Sequence, residues 1–458
     1  MIREQLKEAK KACRFMQNVK PEVKNKALKN ISEALIQKSE LIIQENQKDI
    51  AEAKNNGIKE SMVDRLLLNK ERIEAMAKDI LKVIDLQDPI GTLVREIKRP
   101  NGLVIQQIRI PLGVIGVIYE SRPNVTVDIA SLCIKTNNVC VLKGGKEAIH
   151  SNRILVQIIN EAIQDVLPTH TVTLIETKKR EETLDLIQAH DYVDVIIPRG
   201  SAGLIQYVVK NATVPVIETG AGICHLYVDQ EANLDMALEI AKNAKIQRPS
   251  VCNAIETILV HQKVAPEFLP KLQEIFKNVQ IYGDEKTRKI IDCLEATEKN
   301  YATEYDDYIC NIKVVDDIEE AIEHIYNYST KHSESIITEN KETAKYFMES
   351  LDSACVYHNA STRFSDGGQF GFGAEVGIST QKLHARGPLG LQEITSTKYM
   401  IYGNGQVRSF ESMYNILCRG LVKWYDRGLQ NLWWEFDSLI PCSKPLKIKA
   451  FARLRLHG

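Results

Sequence analysis

Cys252 stands in "KIQRPSVCNAIETILVH" (Lys245–His261), behind a Pro-Ser-Val bend and ahead of an apolar, alternating run. A thiol attacks only as its thiolate, and a free cysteine titrates near about 8.5. Arg248, four residues upstream, would favour the anion. One cysteine among ten reads equally as a small buried hydrophobe, so its surroundings must decide. Other segments carry groups suited to anions. Lys143 and Lys146 follow an apolar run in "VLKGGKEA", and Gly200 and Ser201 close another in "IIPRGSAGLI". A strand-to-helix turn of the second kind presents backbone N–H groups to a phosphate. Arg122 and Asn124 lie in "YESRPN", Glu218 and Gly220 in "VIETGAG", and Glu304 in "ATEYDDYI". Arg363, Asp366, His384 and Arg386 fall in a stretch from His358 to Gly390 rich in Gly, Ser, Arg and His. Arginine forks suit carboxylate and phosphate.

The elements that must hold these groups follow from apolar periodicity. Residues 1 to about 88 read as helices: Leu28, Ile31, Leu35 and Ile42 keep helical spacing, and "NNG" at Asn55–Gly57 is a stop signal. Ser61 with Asp64 reads as a capping box. "LVIQQIRI" (Leu103–Ile110) alternates as a half-exposed strand does. Five short apolar runs follow, at Val114–Tyr119, Val139–Leu142, Val172–Ile175, Val193–Ile197 and Val214–Ile217, with helical stretches between them. That alternation predicts a parallel sheet covered on both faces, binding its ligand at the strands' carboxyl ends. A second α/β alternation begins near Asn233, with a helix to about Lys245 and the strand "ETILV".

At 458 residues the chain exceeds one ordinary core, so two or more domains are expected. A net charge of -1 gives no electrostatic case for nucleic acid as the main partner. No run of about 18 apolar residues predicts a membrane span, and the charged N-terminus lacks a signal peptide's apolar core. Scattered cysteines without a CxxC pair argue against zinc and against a disulfide framework, and a reducing cytoplasm is the simplest compartment.

"RIPLGVIGVIYESRPNVTVD", "VLKGGKEA" and "VPVIETGAGICHLYVD" ahead of Cys252 resemble the aldehyde dehydrogenase superfamily. "QRPSVCNAIETILVH", "HNASTRFSDGGQFGFGAEVGISTQKLHARGPLGL" and "YGNGQVR" resemble one branch of it, the gamma-glutamyl phosphate reductases. The likeness covers essentially residues 1–408, and with it the nucleophile reading of Cys252 is favoured. It implies an α/β fold. A Rossmann-type cofactor domain at 1–230 is interrupted by an arm strand at 100–112. A catalytic domain at 231–357 carries Cys252, an active-site loop spans 358–385, and a β oligomerisation arm spans 386–408.

The resemblance also implies an activity. L-glutamyl 5-phosphate would be reduced by NADPH to L-glutamate 5-semialdehyde and phosphate through a thioester on Cys252, the second step of proline biosynthesis from glutamate. Asn124 and the Cys252 N–H would hold the oxyanion. Lys143, Lys146, Gly200, Ser201, Gly220 and Glu304 would bind the cofactor. Lys146 stands where NAD-preferring members carry a glutamate, which favours NADP. Arg122, Arg248, Arg363, Asp366 and Arg386 would bind the small-molecule substrate. Glu218 is expected to be structural, because water attack would waste the thioester. A homodimer or homotetramer is implied, with glutamate 5-kinase as a functional partner. A hydrolysing semialdehyde dehydrogenase and an inactive nucleotide-binding regulator are the alternatives. The segment 409–458 departs from the family and is expected to be an atypical, disordered tail; the alternative is a partner or membrane-surface helix, since Leu417, Leu421, Trp424 and Leu432 fit one helix face and the final stretch is basic.

Overall fold

The computed structural model describes residues 2–58, 60–176 and 180–408. The expectations for 409–458 and for the Ser61 side chain lie outside them. Met1–Arg95 with Gln106–Met400 forms one compact unit, which holds every residue discussed as a site below. Glu96–Ile105 and Ile401–Arg408 belong to a second.

Helices Ile2–Met16, Pro21–Gln37, Ser39–Asn55, Glu60–Leu66 and Lys70–Asp85 open the chain. Leu28, Ile31, Leu35 and Ile42 are buried as the spacing predicts, although they belong to two helices rather than one. Asn69 caps the fifth helix by accepting from Arg72 N at 2.9 Å.

The first sheet is parallel, with strands in the order Val172–Leu174, Val139–Gly144, Val114–Tyr119, Val195–Arg199. Val114–Tyr119 is buried at every position, as a strand covered by helices on both faces must be. The fifth apolar run, at Val214–Ile217, makes only a single bridge from Val216 to Ile196. Pro215 has no N–H to extend the ladder; its carbonyl alone accepts from Ile196 N at 2.8 Å.

The second sheet is larger and also parallel. Its seven strands run Leu294–Glu295, Gln280–Gly283, Ile309–Val315, Ile255–His261, Cys224–Val228, Ser333–Ile337, Cys355–His358. Separate apolar clusters pack on its two faces, one around Phe268 and Leu272, the other around Tyr227 and Phe347. Each fully buried large side chain of this kind stabilises by about 1.5–3 kcal/mol. A three-stranded sheet orders Leu93–Lys98, Val104–Pro111 and Thr395–Tyr402. Among the described residues no helix is long and apolar enough to cross a membrane.

Candidate active site

Helix Leu234–Ile246 and strand Ile255–His261 are joined by a turn that carries Cys252, half-buried. Ala254 N donates to Val251 O at 2.9 Å and closes the turn. Several long-range contacts fix its backbone. The Cys224 thiol donates to the Cys252 carbonyl at 3.2 Å, and Arg65 Nη2 donates to Ser250 O at 2.9 Å. Gly222 passes so close that a Cβ there would lie 1.5 Å from Cys252 O, so no side chain fits. Gly222 N in turn donates to Glu304 Oε1 at 2.7 Å.

The charges around the sulfur are mixed. Burial, then Glu375, pushes the Cys252 thiol up to about 12, with Arg199 and Arg122 opposing the rise and Glu304 adding to it. Burial draws Arg122 down to about 10, helped by Arg199 and Arg65. Arg363 is lowered by burial and then by Arg248. Glu375 is raised by burial, with Arg199 opposing, and its Oε2 accepts from Gly367 N at 2.8 Å. Arg199 is held by a hydrogen bond from Nη1 to Val376 O. The turn is thus bordered by Arg122, Arg199, Arg248 and Arg363, with two carboxylates among them. Burial and Glu375 thus oppose the anion that Arg248 suggested from the sequence.

Asn124 heads the helix Asn124–Lys135 and donates from Nδ2 to Asp128 Oδ2 at 2.9 Å. That bond fixes which end of the amide is the NH2 and leaves its second hydrogen for another acceptor. Burial pushes the Asp128 carboxyl up to about 7 against the pull of Arg199.

A separate cavity of about 390 Å³ opens at the carboxyl ends of strands Val114–Tyr119 and Val139–Gly144. Lys143, Lys146, Glu120, Ser201, Gly203 and Tyr207 are among its walls. It lies at the switch in strand order, where doubly wound sheets take their ligands. Helix Ala202–Asn211 starts at its rim, with Ser201 as cap. A Cβ on Gly203 would meet nothing within 4 Å, so the first turn faces open space. Glu120 Oε2 accepts from Ser201 N at 2.8 Å, which shows that an anion fits that N–H group. Two lysines, a helix N-terminus and an open groove fit a dinucleotide phosphate.

The expected site residues therefore separate. Lys143, Lys146 and Ser201 share the cavity. Gly200 is beside Glu120, whose Oε2 a Cβ would approach to 2.5 Å. Glu304 is at the Cys252 turn, and Gly220 packs against Thr380 with its N donating to Ile378 O at 3.2 Å. Arg386 is engaged by Asp352, through Nη1 to the carboxylate at 2.8 Å and Nη2 to the carbonyl at 2.7 Å. Asp366 turns its Oδ1 back onto Gly368 N and Gln369 N at 2.9 and 3.2 Å. Glu218 N donates to Gln381 Oε1 at 3.0 Å.

Comparison with known proteins decides the relationship. The aldehyde dehydrogenase family model matches residues 1–300. Gamma-glutamyl phosphate reductase of Halothermothrix orenii is 53% identical over 408 residues, covering 88% of this chain and 98% of the relative. That of Petrotoga mobilis is 55% identical over 405 residues, covering 88% and 97%. This chain belongs to the gamma-glutamyl phosphate reductase family. The crystal structure of the reductase from Thermotoga maritima superposes with a TM-score of 0.86 at 48% identity, covering 89% of this chain and 99% of that one. The aldehyde dehydrogenase-like α/β fold expected from the sequence is thereby borne out.

Sequence reading within this family missed Arg65, Arg199, Glu375 and Asp128. Arg199 was findable, since it ends a strand of a parallel sheet and such ends meet ligands. Arg65 carried no local signal; it reaches Ser250 across 185 residues of chain.

Proposed function

We propose that this chain reduces L-glutamyl 5-phosphate to L-glutamate 5-semialdehyde with release of phosphate. Besides the family, the observation that carries the reading is Cys252 on a braced turn bordered by Arg122, Arg199, Arg248 and Arg363. The substrate brings a phosphate and a carboxylate, and these guanidiniums match both. A thiol raised by burial and by Glu375 gives its proton to a base as sulfur attacks. Glu375, the charge that bears most on Cys252, takes that role. The S–C bond forms, the bond to the phosphate oxygen breaks, and phosphate leaves with the electron pair. The acyl oxygen meets the free N–H of the Asn124 amide and the Cys252 N–H.

When bound, a reduced nicotinamide dinucleotide supplies the hydride to the thioester carbon. Lys143 would hold its adenosine ribose, Lys146 a 2′-phosphate and Ser201 its pyrophosphate. Lys146, an ammonium where a carboxylate would repel a 2′-phosphate, supports NADPH over NADH. The collapsing hemithioacetal breaks the C–S bond, and sulfur recovers its proton. Arg386, spent on Asp352, is left to hold the loop. Glu218 has no hydrolysis to perform.

The oligomer of the reading is a homodimer or homotetramer built through the three-stranded sheet. Leu93 and Val94 on one edge strand, and Tyr399 on the other, are exposed apolar groups that support it. Following NADP reduction with glutamate semialdehyde, with and without inorganic phosphate, tests the function. Strict phosphate dependence is expected; equal rates without phosphate would establish the hydrolysing alternative instead.

A further inference from the structure

Asn253 follows the nucleophile in sequence and has no part in the chemistry above. It is 4% exposed, and its side-chain amide and its carbonyl turn to one loop. Nδ2 donates to Ser365 O at 2.9 Å and to Arg363 O at 3.4 Å. Its backbone carbonyl accepts from Thr362 Oγ1 at 2.7 Å. Its Oδ1 accepts from Nη1 of Arg363. The same guanidinium donates from Nε to Gln247 Oε1 at 3.1 Å. Arg363 is therefore gripped at two corners, by residues that precede and follow Cys252 on one turn. Its Nη2 corner has no protein partner among the described residues.

We propose that Asn253 is a positioning residue that aims the free corner of Arg363 at the α-carboxylate of the acyl chain, and so sets the preference for an amino-acid substrate. The inference rests on the reading of Arg363 as a substrate cation. An amide is the group the place requires: one end must accept from a guanidinium and the other must donate to a carbonyl. An Asp would turn a carboxylate oxygen onto Ser365 O, and an Ala would leave both partners unmatched.

Asn253→Ala, Asn253→Ser, Arg363→Ala and the double variant Asn253→Ala/Arg363→Ala would be assayed with glutamate semialdehyde and with butanal, which has no α-carboxylate. Alkylation of Cys252 by iodoacetamide reports on the nucleophile without substrate, and thermal melting reports folding. The expected result for Asn253→Ala is a KM for glutamate semialdehyde raised about tenfold, with butanal turnover and alkylation little changed. The double variant should be no worse than Arg363→Ala. If Asn253→Ala does not fold, Asn253→Ser, whose single oxygen sits one bond closer to the backbone and is drawn back from Arg363 Nη1, carries the same comparison. Should Arg363→Ala fail to distinguish the two aldehydes, the role of Arg363 falls and the inference with it. Should Arg363→Ala distinguish them while Asn253→Ala slows both equally, and the two losses multiply, Asn253 is merely structural and only the inference falls.

Discussion

Lys245 and Glu256 form an ion pair of 2.7 Å with both side chains buried, one ending the helix before Cys252 and the other in the strand after it. The pair closes the base of the turn that carries Cys252. Burial raises the Glu256 carboxyl, and Lys245 opposes the rise. Removing one partner of such a pair costs about 3–5 kcal/mol, because the other must either stay buried as a lone charge or change its protonation.

Lys245→Met should therefore lower stability by about that amount at pH 8 in denaturant titrations. The sign of its pH dependence follows from the raised carboxyl. The folded state keeps the Glu256 proton at pH values where the unfolded chain has lost it. Stability of the variant should fall as pH rises above about 4.5, by up to about 1.4 kcal/mol per unit. A variant as stable at pH 8 as at pH 5 would contradict the assignment.

The resting thiol gives a second expectation. With Cys252 pushed up to about 12, the thiolate fraction grows about tenfold per pH unit throughout the accessible range. Iodoacetamide alkylation of the free protein should climb log-linearly from pH 7 to 10. A plateau near neutrality would mean a preformed anion.

Glu375→Gln separates two effects of one carboxylate. Loss of its charge lowers the thiol, so alkylation should accelerate. Loss of the base should reduce kcat by about 10²-fold or more. Both rates rising together would remove Glu375 from the proton path.

Asp128 orients the Asn124 amide, and neither needs to touch the sulfur for the loss to be large. Asn124→Ala should cost about 10²–10³ in kcat. Asp128→Asn, which lets the amide turn over, should cost part of that with KM nearly unchanged, read by steady-state kinetics. Unaltered kcat in both would place the oxyanion elsewhere.

Lys146→Glu should reverse cofactor preference, lowering kcat/KM for NADPH while NADH is retained or improved. About tenfold for NADPH is the scale of one lost charge-assisted contact.

The sheets were legible because buried parallel strands need unbroken apolar runs, and Val114–Tyr119 or Ile255–His261 can be nothing else. Val214–Ile217 misled for the same reason: apolarity reports burial, while ladder formation needs the N–H that Pro215 lacks. The cysteine was legible as a candidate only through the family-like segments around it. The state of its proton was not, since it depends on burial and on Glu375, Arg199 and Arg122, which only the tertiary fold assembles. Arg386 sits within the family-like run, yet its partner Asp352 lies 34 residues away and could not be read from that run.

The missing side chain at position 222 has a consequence for how this enzyme can change. A methyl group there would push directly on the peptide that carries the sulfur. The floor beneath the reacting atom is therefore rigid to substitution, whereas the guanidiniums around it are not. New acyl specificities should arise by exchanging the rim and leaving the floor alone.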